Sequence, residues 1–188
     1  MKYYDEVEDF SEGFARVKNH GKWGFIDQTR EEVVPCVYDY VDNFSEGFAI
    51  VKKDGKYGYI DKTGKEVVPC VYDGIGYFSK GFAKVKKYGR WGKDDKVGLV
   101  DKTGKEVVPC VYDKVYDFSE GFAKVKKDGK YGYIDKKGKE YFDKDAKKVD
   151  KIYEILDELK KLEDMEKKAK KLNKKKEKIQ QKLDKERE

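Results

Sequence analysis

One six-residue phrase recurs four times and decides what this chain can fold into. Phe-Ser-Glu-Gly-Phe-Ala stands at 10–15, 44–49 and 118–123, and Phe-Ser-Lys-Gly-Phe-Ala at 78–83. The starts are 34, 34 and 40 residues apart. A second phrase, Val-Val-Pro-Cys-Val-Tyr-Asp, fills 33–39, 67–73 and 107–113. A fixed period of this length builds an array of small units, none of which can bury its apolar face alone. Residues found in every unit then serve the unit's fold. Residues that break the pattern are the better functional candidates.

The second unit, residues 44–77, shows the local logic. Phe48 to Lys53 is short and partly alternating, as a half-buried strand requires. Asp54-Gly55 follows, a two-residue hairpin signal. In the next strand, Lys56 to Asp61, Tyr57 and Tyr59 share one face while Gly58 and Ile60 share the other. Asp61 and Gly64 then frame a turn. Lys65 to Val68 is a third strand, and Pro69 either ends it or sits on a sheet edge, because proline donates nothing to a ladder. The expectation is about four three-stranded antiparallel β-meanders, with the repeated Phe packed between units. The array is expected to be open and curved, with a compact propeller-like closure as the alternative.

Three stretches, Gly13 to Asp27, Gly47 to Asp61 and Gly121 to Asp135, share Gly-x-x-x-Val-x-x-x-Gly-x-(Trp/Tyr)-Gly-(Phe/Tyr)-Ile-Asp. This pattern resembles the WG repeat family of bacterial proteins, over about residues 2–141. Trp23-Gly24 is the name pair; Tyr57-Gly58 and Tyr131-Gly132 are its usual variant. The resemblance implies a β-rich repeat fold with binding roles, and it brings no catalytic residues.

The pattern breaks in three places. The third unit carries about six extra residues, 90–95, at a hairpin tip. That insertion displays Arg90, Trp91 and Lys93 beside Tyr88. Insertions in repeat proteins fall in loops, often on a binding face, and Arg and Trp are frequent interface anchors. The competing account folds Trp91 onto its own strands, in place of the aromatics that Val97 and Leu99 replace. The second break is Arg30, which stands where the other units have Gly64, Gly104 and Gly138. The third is the imperfect matching of the array's two ends.

After about residue 143 the period changes, dividing the chain into a β-repeat domain, 1–143, and a charged amphipathic helix, 144–188. Ile152, Ile155, Leu159, Leu162, Met165, Ala169, Leu172, Ile179 and Leu183 form a coiled-coil-like ladder, with a three-residue step at 162–165 and Lys176 in a core slot. The first half could cap the last β unit, and the rest could project or pair with another helix. Met165, Leu172, Ile179 and Leu183 are candidate partner contacts. Residues 144–188 hold 17 basic and 12 acidic residues, a net +5 of the chain's +6. A basic run, Lys167, Lys168, Lys170, Lys171, Lys174, Lys175 and Lys178, is the candidate nucleic-acid contact. Its acidic neighbours make a solvated helix face the plainer account.

Catalytic chemistry finds no foothold in the sequence. His20, the single histidine, occupies a turn slot held elsewhere by Asp54 or Asp128. Cys36, Cys70 and Cys110 share one repeat slot, so they are expected to be reduced, small and apolar. Neither metal nor cofactor is expected, and no apolar run can span a bilayer. The sequence therefore points to a cytoplasmic, non-enzymatic protein-interaction or scaffolding module with an unidentified protein partner and helix-mediated self-association. The alternative is an accessory subunit that touches RNA or DNA through the basic helix.

Overall fold

A computed structural model describes residues 3–89 and 95–185, with side chains through residue 178. Two units are compact, Met1–Glu140 and Tyr141–Glu188. The chain is mainly β and builds four antiparallel four-stranded sheets, each running in chain order. The first holds β1 (Glu6–Val7), β2 (Phe14–Asn19), β3 (Lys22–Asp27) and β4 (Glu32–Tyr38). The second holds β5 (Tyr40–Val41), β6 (Phe48–Lys53), β7 (Lys56–Asp61) and β8 (Glu66–Tyr72). The third holds β9 (Gly74–Ile75), β10 (Phe82–Lys87), β11 (Lys96–Asp101) and β12 (Glu106–Tyr112), and the fourth β13 (Lys114–Ser119), β14 (Phe122–Lys127), β15 (Lys130–Asp135) and β16 (Glu140–Phe142). The helix α1 spans Lys144–Lys185. The array is open. Each sheet has one strand more than expected, because the segment after each Val-Tyr-Asp pairs with the next hairpin: Tyr40 faces Lys52 and Val41 faces Val51.

Strand register fixes which residues meet. In the second sheet Ala49 opposes Ile60 and Val51 opposes Gly58, which puts small or aliphatic groups on one face. Ile50 opposes Tyr59 on the other. Ala49, Val51 and Ile60 pack with Phe25, Val34 and Tyr38 of the first sheet. On the far side Ile50, Tyr59 and Tyr72 pack with Ala83, Val85 and Val100 of the third. A bulky face of one sheet thus meets a slender face of the next. Each aliphatic or aromatic side chain so buried contributes about 1.5–3 kcal/mol. The Phe that opens each repeat locks the junction from the rim. Phe44 lies 4.8 Å from Phe14 and 4.7 Å from Phe25; Phe78 lies 5.1 Å from Phe48 and 4.6 Å from Tyr59. Phe118 repeats this at 4.6 Å from Phe82.

The glycine after each Trp or Tyr has a steric cause. Between β7 and β8 the partners run Tyr57 to Tyr72 and then Tyr59 to Val68, so Pro69, Cys70 and Val71 bulge across Gly58 alone. A Cβ on Gly58 would stand 2.4 Å from the Val68 carbonyl oxygen, and on Gly24 2.3 Å from that of Val34. Pro69 therefore lies on an edge strand, at a bulge, where no ladder donor is needed.

Turns and junctions are held by carboxylates. Asp61 Oδ1 accepts from the Thr63 hydroxyl at 2.6 Å, Thr63 N at 2.9 Å and Lys65 N at 3.1 Å. Asp27 does the same for Thr29 and Glu31. The threonine hydroxyl, then backbone N–H groups, hold both carboxyls below the usual range. Ammonium partners do so for Asp39, Asp73 and Asp113, through Lys22, Lys56 and Lys96. Between sheets, the Tyr72 hydroxyl donates to Glu106 at 3.0 Å and that of Tyr112 to Glu140 at 2.5 Å. The Tyr112 bond holds the Glu140 carboxyl below its ordinary value. Burial, helped by the Glu66 carboxylate, pushes Tyr38 up to about 12.

Arg30 now has an explanation. Like Gly64, it takes the left-handed turn, at φ 67°. The glycines, however, lie under the preceding sheet: a Cβ on Gly104 would meet the Val67 carbonyl oxygen at 1.9 Å, and one on Gly64 that of Val33 at 2.9 Å. Arg30 is in the first sheet, with no sheet packed before it among the described residues, so there it bears only the conformational cost of about 1 kcal/mol. Arg30→Gly should therefore gain up to about 1 kcal/mol, whereas Gly104→Ala should lose about 3 kcal/mol or more. Urea unfolding of both variants checks this, and equal shifts would contradict it.

The pH dependence has a defined sign. The depressed carboxyls stabilise the fold fully above the ordinary carboxylate range, and that contribution is lost as pH falls through their folded-state values. The raised tyrosines stabilise it fully below the ordinary phenol value, and that is lost as pH rises through the folded values. The thermal midpoint should be level from about pH 6 to 9 and fall below about pH 4 and above about pH 10. Calorimetry across that range tests it; a midpoint that rises on acidification would refute the assignment.

Candidate interaction surfaces

Most repeated polar and aromatic residues are consumed by the fold. His20 sits at φ 49° in its hairpin, as Asp54 does at 50°, and its N–H donates to Asp5 at 2.7 Å. This bears out the turn role. The three cysteines are half-buried and form no disulfide. The Cys36 and Cys110 thiols point at the Val17 and Val85 carbonyls, at 3.7 and 3.6 Å. Burial first, then the nearby Glu66 or Glu106, pushes Cys70 and Cys110 up to about 11, which keeps them as inert thiols near neutral pH.

The aromatic of each Trp/Tyr-Gly pair lies beside its hairpin, Trp23 and Tyr57 half-buried against the cores between sheets and Tyr131 50% exposed. It is covered there by lysines from the neighbouring strand. Lys18 Nζ stands 5.2 Å from the Trp23 ring, Lys52 4.9 Å from Tyr57 and Lys124 5.1 Å from Tyr131. Such contacts contribute about 0.5–1 kcal/mol at exposed sites. Each of these rings thus has a lysine partner from its own sheet.

The expected insertion site divides in two. Tyr88 is 54% exposed, and its N–H donates to Asp73 at 2.9 Å. Arg90, Trp91 and Lys93 lie outside the described residues.

The helix carries the other predicted contacts. Val149 is buried, at 2% exposure. Beyond it the apolar side chains emerge: Ile152, Ile155, Leu159, Leu162, Met165 and Leu172 are between 43% and 68% exposed. They recur every three or four residues as far as Met165, and Ala169 stands between Met165 and Leu172, so they follow one ridge along α1. Ile179 and Leu183 belong to the helical backbone, but their side chains lie outside the described residues. Lys167, Lys168, Lys170, Lys171, Lys174, Lys175 and Lys178 are all exposed. Two of them make ion pairs within the helix, Lys167 with Asp164 at 3.7 Å and Lys170 with Glu166 at 3.9 Å.

A further apolar surface was missed by sequence reasoning. Phe10 has the same repeat slot as Phe44, which is 3% exposed, yet Phe10 is 45% exposed. The slot's ring packs on the preceding sheet in the later repeats, and among the described residues no sheet precedes the first. With Tyr3, Tyr4, Val7 and Ile26, Phe10 lines an open hollow at the outer side of the first sheet. Phe44→Ala should cost about 3–5 kcal/mol, and Phe10→Ala less than about 1 kcal/mol. Equilibrium unfolding of the pair checks the assignment; similar losses would refute it.

Comparison with known proteins accords with this geometry. A family model described as WG containing repeat matches the chain four times, over residues 2–23, 23–57, 57–91 and 98–131. No curated protein matches the sequence.

Proposed function

This chain belongs to the WG repeat family, and from that premise we propose that it is a non-enzymatic protein-binding scaffold. One observation carries the reading: α1 presents a continuous ridge of large apolar side chains to solvent. Contiguous exposed apolar surface on a folded protein marks an interaction site. The repeat array supplies a rigid base, because its recurring aromatics, glycines and carboxylates are committed to junctions, bulges and turns. The arrangement suits helix-in-groove or helix-on-helix recognition, in which residues at spacings of three and four anchor a partner.

The lysines of α1 support a second reading, contact with nucleic acid, and one set of measurements separates the two. The full chain and its Leu159→Glu/Leu162→Glu variant are immobilised and exposed to extract of the source cells. The wild type should retain specific proteins that the variant loses at least tenfold. Equal recovery by both would overturn the proposal. Titration with RNA and with duplex DNA at about 50 mM salt should show no binding; affinity that falls steeply with salt and with Lys174→Glu/Lys175→Glu would favour the second reading instead.

A further inference from the structure

We infer that the ridge of α1 is covered by the same helix of a second copy of this chain, laid antiparallel. This rests on the reading of α1 as an interaction surface and names its occupant. Three observations converge on it.

The first is charge. Residues 150–166 hold seven acids and three bases, a net of −4. Residues 167–178 hold eight bases and one acid, a net of +7. The charges that look interspersed over the whole tail thus separate into an acidic block followed by a basic block. Parallel pairing would lay each block on its own kind. Antiparallel pairing lays acid on base along the whole contact, which favours association and selects its direction.

The second is the ladder. Its steps from Ile152 to Ile179 are 3, 4, 3, 3, 4, 3, 4 and 3, with one irregular step after Leu162. Reversing the helix about the point between Met165 and Glu166 lays every rung but Met165 on another rung. Ile152 falls opposite Ile179, Ile155 opposite Lys176, Leu159 opposite Leu172 and Leu162 opposite Ala169, every pair summing to 331. Met165 lies beside the two-fold axis. Leu162 and Ala169, seven residues apart, flank that point symmetrically, and the irregular step falls within this central interval. The self-complementary patch that results is what a two-fold dimer requires.

The third is Lys176. In a parallel pair it would meet its own copy in a core slot. Antiparallel, it meets Ile155, against which its methylene stem can pack while the ammonium reaches water. The described ridge residues of this set, from Ile152 to Leu172, are exposed along a helix of 42 residues, about 63 Å long. That length is enough for a four-heptad interface.

The full-length protein tests the inference. Sedimentation equilibrium at about 100 µM should give twice the chain mass of 22.0 kDa, with the dissociation constant rising at least tenfold on raising salt from about 0.05 to 0.5 M. Leu159→Glu should raise it at least a hundredfold. Orientation is read by oxidation against the wild type as background for the three native cysteines. A mixture of Leu159→Cys and Leu172→Cys chains should form a disulfide-linked dimer. Leu159→Cys alone should not, because its two copies would lie about 20 Å apart. A monomer at 100 µM, a dimer indifferent to Leu159→Glu, or cross-linking of Leu159→Cys with itself would each overturn the inference. A monomer that still captures another protein through α1 would leave the preceding proposal standing and refute only this one.

Discussion

The contact on which the repeat array depends is the meeting of a slender sheet face with a bulky one. Ala49, Val51, Gly58 and Ile60 leave room that Phe25, Val34 and Tyr38 of the preceding sheet fill. The same relation places Ala83, Val85 and Val100 under Ile50, Tyr59 and Tyr72. A four-stranded sheet with a two-residue first strand has little stability of its own. What holds it is the paired faces, locked at the rim by the repeated Phe and tied between sheets by tyrosine-to-glutamate hydrogen bonds. Every other repeated residue follows from that demand. Glycine is required where the edge strand bulges over the sheet, and again where a turn slides beneath the sheet before it.

How much of this could be read from the sequence depended on whether the cause lay within one repeat. Hairpins at Asp54-Gly55, the turn at Asp61, the face assignments of Tyr59 and Ile60 and the position of Pro69 are set by neighbours close along the chain, and all were legible. The lead-in strands β1, β5 and β9 were not, because two residues show no periodicity. Arg30 was visible as an exception but not explicable, since the glycines of the later turns are required by contact with the backbone of the preceding sheet. Phe10 was mistaken for a junction residue because its identity is that of a junction residue; only its place in the series differs. On α1 the apolar spacing was evident, while the exposure of the ridge depends on what else covers it and needs coordinates.

The division between these two kinds of residue bears on function. Within the sheets, groups that could bind something are already engaged: the Trp23, Tyr57 and Tyr131 rings beneath lysines, the aspartates within turns. Among the described residues, large apolar side chains stand exposed at Phe10 and its neighbours on the first sheet and along the helix after Val149.

The tyrosine-to-glutamate ties have a further consequence. Tyr72 with Glu106 and Tyr112 with Glu140 join the close of one repeat to the fourth strand of the next, and each repeat brings one half of the bond on either flank. A repeat duplicated in frame would arrive with both halves already encoded, finding a matching donor before it and a matching acceptor after it. Lengthening such a protein asks for no new chemistry at the seam, so the number of repeats is free to drift while the joint itself stays fixed.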